Sequence, residues 1–275
     1  MAYQYPGDGS LNYYPCRYGN SKILFRGPKA NLSKDYVAFL GSTETYGKYV
    51  PQPFPELFSG SMGVEAVNLG CVNSGVDVFA ADEAIMEICS AAKATVVQVS
   101  GAQNMSNRFY TVHPRRNDRF LRASTLLQTI YREVDFTEFN FTRHLLNTLH
   151  TVSPEKFGMV RQELKDAWVA RLRMLVQKIR GPVVLLWIAD HSPDDDEAVA
   201  DLCADPLFVD RQMIEEIREC VIGVIEIVAT REDIAAGRDL LVYPDLEAPA
   251  AHDVIGPNIH AKAASKLESV LASHL

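Results

Sequence analysis

The hydrophobic positions of this chain form five short runs that are separated by segments with helical spacing. The runs are almost continuously apolar and rich in β-branched residues, a pattern typical of strands that are covered on both faces. They are Val37–Leu40, Ala66–Leu69, Thr95–Ser100, Pro182–Ala189 and Ile222–Ala229. Because strands alternate with helices along the chain, we expect right-handed crossovers and a single parallel sheet.

Four segments carry apolar residues at intervals of three and four positions, which predicts amphipathic helices. They are Ala81–Ala94, Lys156–Arg180, Asp210–Cys220 and Pro257–Ser273. The longest of them ends at Gly181-Pro182, a pair that stops a helix. The order of these elements predicts an α/β protein with a flavodoxin-like, doubly wound sandwich around a five-stranded parallel sheet.

Two stretches do not follow this alternation of strands and helices. Residues 1–35 are rich in Tyr, Gly, Asn and Pro, and they are predicted to be an irregular N-terminal arm with a short strand at Lys22–Phe25. Residues 36–275 are predicted to form a single domain. After the third strand, residues 105–153 are predicted to be a helical insertion, with helices at Thr125–Arg132 and Thr142–Leu149.

Composition narrows the classes of function. The 275 residues are 47% hydrophobic and 23% charged, as in ordinary globular proteins. A net charge of −8 argues against nucleic acid or an anionic membrane as partner, and no apolar run approaches the ~20 residues of a membrane span. The N-terminus lacks a signal-peptide pattern and the five cysteines form no Cys-x-x-Cys pair, so we expect a cytoplasmic bacterial protein with reduced thiols.

Glycines, hydroxyls and amides follow the first three strands. Gly41–Gly47 brings the hydroxyls of Ser42 and Thr43, and Asn68–Gly70 and Gly101–Asn104 follow the next two strands. The carboxyl ends of parallel strands meet at one edge of a sheet, where ligand sites of such folds lie. A hydroxyl can act there as a nucleophile if a base and oxyanion donors are nearby. A Ser or Thr at this position can equally cap a helix, and both interpretations stay open.

The oxyanion donors and the base are expected from other strand ends and from the C-terminal region. Gly70 can offer its backbone N–H and Asn104 its side-chain amide, with Gln103 as a second amide. The base is predicted to be His260, at the start of the last helix, with His252 as the alternative. Either histidine can instead be a surface or capping residue.

The order of these residues resembles that of the SGNH (GDSL-like) hydrolases. The stretches that carry the resemblance are Gly41–Gly47, Asn68–Gly70, Gly101–Asn104 and the late His260. The resemblance implies a flavodoxin-like fold and hydrolysis of an ester or acetyl group by a serine nucleophile. In this register Ser42 stands at the family's Asp and Thr43 at its nucleophile, so both hydroxyls remain candidates. Gly256-Pro257-Asn258 resembles the family's His-Pro-Asn with Gly in place of His.

The chain is also similar to an uncharacterised bacterial family that shares this scaffold. The residues that carry this second resemblance are Phe25–Pro28, Gly41–Val50, Asn104–Tyr110 and Val112–Phe120. It spans most of the chain and implies no particular activity.

A dense group of basic residues follows the third strand. It comprises Arg108, His113, Arg115, Arg116 and Arg119. Arginines make bidentate pairs with phosphate, sulfate and carboxylate groups, so the cluster predicts a site for an anionic ligand. The alternative is that these arginines brace the insertion by pairing with Asp118, Glu133 and Asp135.

No cofactor and no metal ion is predicted. The sequence has no Walker-type loop, no Gly-x-Gly-x-x-Gly motif and no zinc-ligand spacing. Residues 190–201 follow the fourth strand and are predicted to form an acidic loop. Its Asp190-His191 and its acidic residues 194–197 are predicted to be solvated rather than a metal site.

Three functions remain as hypotheses. The first is an SGNH-like hydrolase or acyltransferase that acts on an acyl ester, such as an O-acylated saccharide, through Ser42 or Thr43. The second is a non-hydrolytic binding or transferase module that recognises a phosphorylated, sulfated or nucleotide ligand through Arg108–Arg119. The third is an interaction protein whose Tyr-rich arm docks a partner or a second subunit of a homo-oligomer.

Overall fold

The computed structural model describes residues 9–197 and 201–275. The strands are β1 (Tyr36–Gly41), β2 (Glu65–Gly70), β3 (Ala94–Gln98), β4 (Tyr110–His113), β5 (Arg116–Ala123), β6 (Val183–Ala189) and β7 (Gly223–Val228). The order β2-β1-β3-β6-β7 makes one fully parallel sheet, and β4 pairs with β5 as a separate antiparallel hairpin. Residues 1–8 of the predicted arm and 198–200 of the predicted acidic loop lie outside the described residues.

The helices of the described part of the chain lie between these strands. They are α1 (Thr43–Tyr46), α2 (Phe54–Met62), α3 (Asp77–Ala80), α4 (Glu83–Ala91), α5 (Thr125–Ile130), α6 (Thr142–Val152), α7 (Pro154–Lys178), α8 (Arg211–Glu215), α9 (Arg231–Arg238), α10 (Ala248–Ala251) and α11 (Pro257–Leu271). Short 3-10 turns occur at Phe136–Glu138, Arg218–Cys220 and Asp245–Glu247. In this part of the chain no helix combines the length and the apolar character that a membrane crossing requires.

The strand order confirms the predicted fold class. Numbered along the chain, the five parallel strands follow the order 2-1-3-4-5 of flavodoxin-like sheets. The four predicted helices are present, although the third is split into α8 and the 3-10 turn that follows it. The helix α2 was not predicted because its sequence, with Pro55 and Gly60, contains two poor helix formers in nine residues.

The sheet is buried on both faces, as the continuous apolar runs predicted. Along β1, Val37 and Phe39 point to one face, whereas Ala38 and Leu40 point to the other. The first face packs against α2 and α11, where Phe54 contacts Phe39 edge to face. The second face packs against α4 and α7 and continues into the arm and the insertion. This double layer holds the carboxyl ends of the strands in fixed positions.

The arm and the insertion differ in detail from the expected structure. The strand predicted at Lys22–Phe25 is only a single bridge between Cys16 and Phe25. The first half of the insertion is the β4–β5 hairpin rather than helix, while α5 and α6 occupy the predicted helical positions. The hairpin was missed because β5 reads Arg-Asn-Asp-Arg-Phe-Leu-Arg-Ala, a polar stretch without an apolar run.

Candidate functional site

A polar cavity of about 270 Å³ lies at the carboxyl edge of the sheet, above the neighbouring strands β1 and β3. From β1 the chain continues to β2 on one side, and from β3 it continues to β6 on the other side. Ligands of flavodoxin-like sheets bind at such a switch point. The cavity is lined by Ser42, Asn73, Ser74, Gly101, Gln103, Asn104, Asp118, Phe141, Thr142, Arg143 and Asp205. The ends of β1, β2 and β3 therefore converge with the hairpin, the start of α6 and the loop after β6.

The turn after β1 is held by one buried amide, that of Gln98 on β3. Its Oε1 accepts hydrogen bonds from the Ser42 N–H at 2.9 Å, the Thr45 N–H at 3.1 Å and the Thr45 hydroxyl at 2.6 Å. Gly41 allows this close approach, because a Cβ there would lie 2.0 Å from Thr45 Oγ1. The Ser42 N–H is thus already bonded and is not free to hold an oxyanion.

The same amide binds Glu44 on its other side. The Gln98 Nε2 donates to Glu44 Oε2 at 2.5 Å, and the Glu44 side chain is buried. Burial raises the pKa of Glu44 to about 7, and the negative charge of Asp205 adds to this effect, whereas the hydrogen bond from Gln98 opposes it. Glu44 therefore changes its charge near neutral pH beside the cavity.

Of the two candidate nucleophiles, only Ser42 lines the cavity. No hydrogen-bond partner for the Ser42 hydroxyl is found among residues 9–197 and 201–275. The Thr43 hydroxyl instead donates to Asn73 Oδ1 at 3.3 Å and accepts from the Asn73 N–H at 3.2 Å. The register of the SGNH resemblance points to Thr43, but the structure presents Ser42 to the cavity.

Of the predicted oxyanion donors Asn104 and Gly70, only Asn104 lines the cavity. Asn104 lines the cavity, where its Nδ2 donates to the Asn73 carbonyl at 3.0 Å and its Oδ1 accepts from the Thr142 hydroxyl at 2.8 Å. Gly70 does not line it, and its N–H donates to Asn68 Oδ1 at 2.9 Å. Gly70 serves packing, since a Cβ there would lie 2.1 Å from the Tyr46 nitrogen.

Gln103 and Asp205 form another wall of the cavity. Although 47% of the Asp205 side-chain surface remains exposed, the cavity walls reduce its hydration and raise the pKa of Asp205. The positive charge of Arg143 and a hydrogen bond with the Gln103 side chain act in the opposite direction on that pKa. Arg143 also donates to the Leu202 carbonyl at 2.6 Å, which ties this loop to α6.

Neither histidine predicted as the base lies at the cavity. His260 is fully buried between α11 and α2, where its Nδ1 accepts the Phe54 N–H at 3.1 Å and its ring stacks on Phe54. Burial, together with the charge of Arg26, lowers the pKa of His260 to about 3. His252 is exposed at the end of α10. The prediction that His260 acts as the base beside Ser42 and Thr43 is therefore wrong, because its ring faces the core beneath α2.

Gly256 stands where the SGNH hydrolases have a histidine, and this position also has no room for a side chain. A Cβ at Gly256 would lie 2.5 Å from Gly237 Cα and 2.7 Å from the Gly237 carbonyl oxygen. The start of α11 is thus packed directly against α9, and no side chain fits between them.

His191 is a buried residue at the strand end of β6 that sequence reasoning assigned to a solvated loop. It is 6% exposed, and its Nδ1 lies 2.8 Å from Asp190 Oδ1. Trp187 packs edge to face on the ring, and its indole N–H donates to the His191 carbonyl at 2.8 Å. His191 is not among the residues that line the cavity. The sequence signal that could have indicated its burial is its position just after the apolar strand β6.

Arg108 lies apart from the other residues of the predicted basic cluster, which are on the β4–β5 hairpin. Arg108 binds Glu163 through its Nε at 2.5 Å, away from the lining of the cavity. Arg115 and Arg116 are exposed at the tip of the hairpin, where His113 Nδ1 accepts the Arg115 N–H at 3.2 Å. The guanidinium of Arg119 lies 4.4 Å from the Phe141 ring centre, at the edge of the cavity.

Among residues 9–197 and 201–275, the predicted pairs of these arginines with Asp118, Glu133 or Asp135 are not found. Glu133 pairs with Lys156 at 2.7 Å, and Asp135 accepts hydrogen bonds from Thr137. Among the described residues, no group of three or more His, Cys, Asp or Glu side chains has the geometry of a metal site.

The chain belongs to the family defined by a domain of unknown function, DUF6473, whose model matches residues 1–275. No curated protein matches the sequence.

Several solved structures are similar to this chain at low identity. An acetyl xylan esterase from the rumen bacterium Butyrivibrio proteoclasticus has 11% identity and a TM-score of 0.44 over 91% of this chain and 66% of its own. A carbohydrate acetylesterase family member from Sinorhizobium meliloti has 10% identity and a TM-score of 0.44 over 88% and 99%. A family two carbohydrate esterase from Clostridium thermocellum, in complex with cellohexaose, has 10% identity and a TM-score of 0.42 over 92% and 68%. This chain spans slightly less than two thirds of the rumen enzyme.

Proposed function

We propose that this member of the DUF6473 family binds a neutral, hydroxyl-rich ligand, such as one sugar unit of a saccharide, in the cavity between Ser42 and Asp205. The observation that carries the proposal is the chemistry of the cavity wall, which mixes hydrogen-bond donors and acceptors on several strand ends. A hydroxyl group both donates and accepts, so a ligand with neighbouring hydroxyls matches such a wall. The cavity is small, just below the ~300 Å³ at which typical small-molecule sites begin.

The charges of the wall support a neutral ligand. Two carboxylates, Asp118 and Asp205, face the cavity with one cation, Arg143. That cation already bonds backbone carbonyls and lies 3.9 Å from Asp205 Oδ1. An anionic group inside the cavity would therefore meet net negative charge. The Phe141 ring at the edge offers an apolar surface that suits the C–H face of a sugar ring.

Titration calorimetry with neutral monosaccharides and short oligosaccharides tests this function. We expect saturable binding, and Asp205→Ala should weaken it at least about tenfold because a charged hydrogen-bond acceptor is lost. Asp253→Ala removes an exposed carboxylate that does not line the cavity, and it serves as the matched control. Equal affinities for Asp205→Ala and wild type, or no saccharide binding in a folded protein, would contradict the proposal.

Cleavage of an acyl ester is a second candidate, favoured by the Ser42 hydroxyl that shares the cavity with a carboxylate of raised pKa. In this reaction the Ser42 proton moves to Asp205 while Oγ attacks the acyl carbon. The alcohol then leaves with that proton, and water hydrolyses the acyl-serine. The free N–H of the Asn104 amide is the available donor for the oxyanion.

Turnover of p-nitrophenyl acetate tests the second candidate. Ser42→Ala should abolish turnover and the acyl adduct detected by mass spectrometry, and Asp205→Asn should lower kcat without changing the fold. Thr43→Ala, which alters a hydroxyl outside the cavity, is the control and should retain activity. Turnover that survives Ser42→Ala would exclude Ser42 as the nucleophile.

A further inference from the structure

We propose that the β4–β5 hairpin extends the cavity into a basic surface for an acidic saccharide chain, with a neutral sugar unit in the cavity and its anionic groups on the hairpin. This inference rests on the proposed function and names its substrate class. The hairpin carries four arginines at its tip and along β5, namely Arg115, Arg116, Arg119 and Arg122.

The hairpin is fixed in place beside the cavity. The Tyr110 hydroxyl donates to the Gln103 carbonyl at 2.6 Å, directly behind the cavity wall. The buried Asn117 accepts the Gly75 N–H at 3.3 Å and donates to the His113 carbonyl at 3.0 Å. Asp118, the residue after Asn117, lines the cavity itself. The arginines on either side of Asp118 therefore have defined positions relative to a bound ligand.

Two of the arginines are close to residues that line the cavity. Arg119 lies over the Phe141 ring, which is part of the cavity wall. Arg116 begins β5, two residues before the lining residue Asp118. A chain that leaves the cavity over Phe141 thus meets a guanidinium group.

The four hairpin arginines have no acidic partner in the described part of the protein. Residues 114–123 hold four arginines and one acidic residue, in a protein with a net charge of −8. Within residues 9–197 and 201–275, none of these four arginines makes an ion pair with Asp or Glu. Arg108, Arg173 and Arg211, by contrast, each pair with a carboxylate.

This contrast points to an anionic partner outside the protein. Carboxylate and sulfate groups on a saccharide are suitable partners, because arginine binds both through paired N–H groups. Since the cavity itself carries Asp118 and Asp205, the anionic groups belong on the hairpin and the uncharged hydroxyls in the cavity. The ligand should therefore carry its neutral unit at the position that enters the cavity and its anionic groups on the units that lie over the hairpin.

Binding of matched oligosaccharides by the full chain tests the inference. The probes are glucan, mannan and galactan tetrasaccharides, each in a neutral form and in a form with carboxylate or sulfate at the sixth carbon of all units but one, so that one neutral unit remains for the cavity. We expect the acidic form of at least one backbone to bind about tenfold more tightly than its neutral form, an advantage that added salt reduces. Comparison of carboxylate with sulfate identifies which anion the hairpin prefers.

The variant that tests the hairpin is Arg115→Gln with Arg116→Gln, two exposed changes that leave the cavity intact. It should lose the tenfold advantage of the acidic form and keep the affinity for the neutral form. The matched control is Arg180→Gln with Arg218→Gln, which removes the same charge from exposed positions just before β6 and β7, at the opposite edge of the sheet. This control should bind both forms as wild type does.

Three outcomes would overturn the inference. Equal affinities for acidic and neutral forms, or an acidic advantage that the hairpin variant retains, would refute it and leave the proposed function standing. Tighter binding of a single-stranded oligonucleotide or of free sulfate in the same assay would show a different partner for the hairpin. No saccharide binding of any kind by folded protein would remove the proposed function and this inference together.

Discussion

Two regions of this molecule resemble catalytic blocks in sequence, yet they have opposite physical characters. The turn after β1 presents Ser42 to an open polar cavity and is held from behind by Gln98. The start of α11 is closed, because Gly256 packs on Gly237 and His260 lies in the core. The comparison teaches that similar motifs are used here for a ligand site in one place and for packing in the other.

The largest effect is expected from placing a histidine at position 256, where the SGNH hydrolases have one and this chain has glycine. Gly256→His should destabilise the protein by about 3 kcal/mol or more, because its Cβ would overlap the Gly237 backbone. The free energy of unfolding in urea measures this. Gly60→His on α2 is the control, since no atom lies within 4 Å of a Cβ there. A stable Gly256→His variant would show that this end of α11 can open.

The next largest effect is expected at His260. His260→Ala should lower the free energy of unfolding by about 3 kcal/mol, because a fully buried ring and its bond to the Phe54 N–H are lost. Ligand binding by the folded fraction should be unchanged. The exposed His252→Ala should leave stability within about 0.5 kcal/mol of wild type. Normal stability with abolished turnover in His260→Ala would instead indicate a catalytic role.

The two regions should also respond oppositely to pH. The pKa of Glu44 is raised from 4.5 to about 7, so the folded state retains a proton that the unfolded state has lost across this window. Stability therefore falls as pH rises through it. The pKa of His260 is lowered from 6.5 to about 3, so its contribution to stability is lost as pH falls through that window.

Glu44→Gln should remove the first of these slopes. At pH ~8 it should be more stable than wild type by up to about 3 kcal/mol, since no buried charge forms. Denaturant unfolding between pH ~5 and ~8 measures the difference, with the exposed Glu219→Gln as control. An unchanged pH profile in Glu44→Gln would mean that Glu44 is not the titrating group.

The smallest effect on stability is expected at Ser42. Its side chain makes no capping hydrogen bond to α1, so Ser42→Ala should cost less than about 0.5 kcal/mol. Ser153 does cap α7 by accepting the Lys156 N–H at 3.3 Å, and Ser153→Ala should cost about 1 kcal/mol. Thermal unfolding of both variants compares them. A cost for Ser42→Ala equal to that for Ser153→Ala would assign Ser42 a capping role.

Much of the site could be located from the sequence, but its partners could not. Ser42, Gln103 and Asn104 were expected at the strand ends, and they do line one cavity. Asp205 and Arg143 were missed because they lie in a loop and a helix whose sequences show no motif. They reach the cavity only because the loop after β6 and the start of α6 fold over the same edge of the sheet.

The sequence by itself determined the α/β class, the positions of the parallel strands and the polar residues that follow them. These features depend on near neighbours, since periodicity and strand ends are local properties of the chain. Only the tertiary structure decided that His260 faces Phe54, 206 positions away along the chain, and that Gly256 meets Gly237. Such contacts join segments that are distant in sequence, and the side on which a helix packs depends on all the surfaces around it.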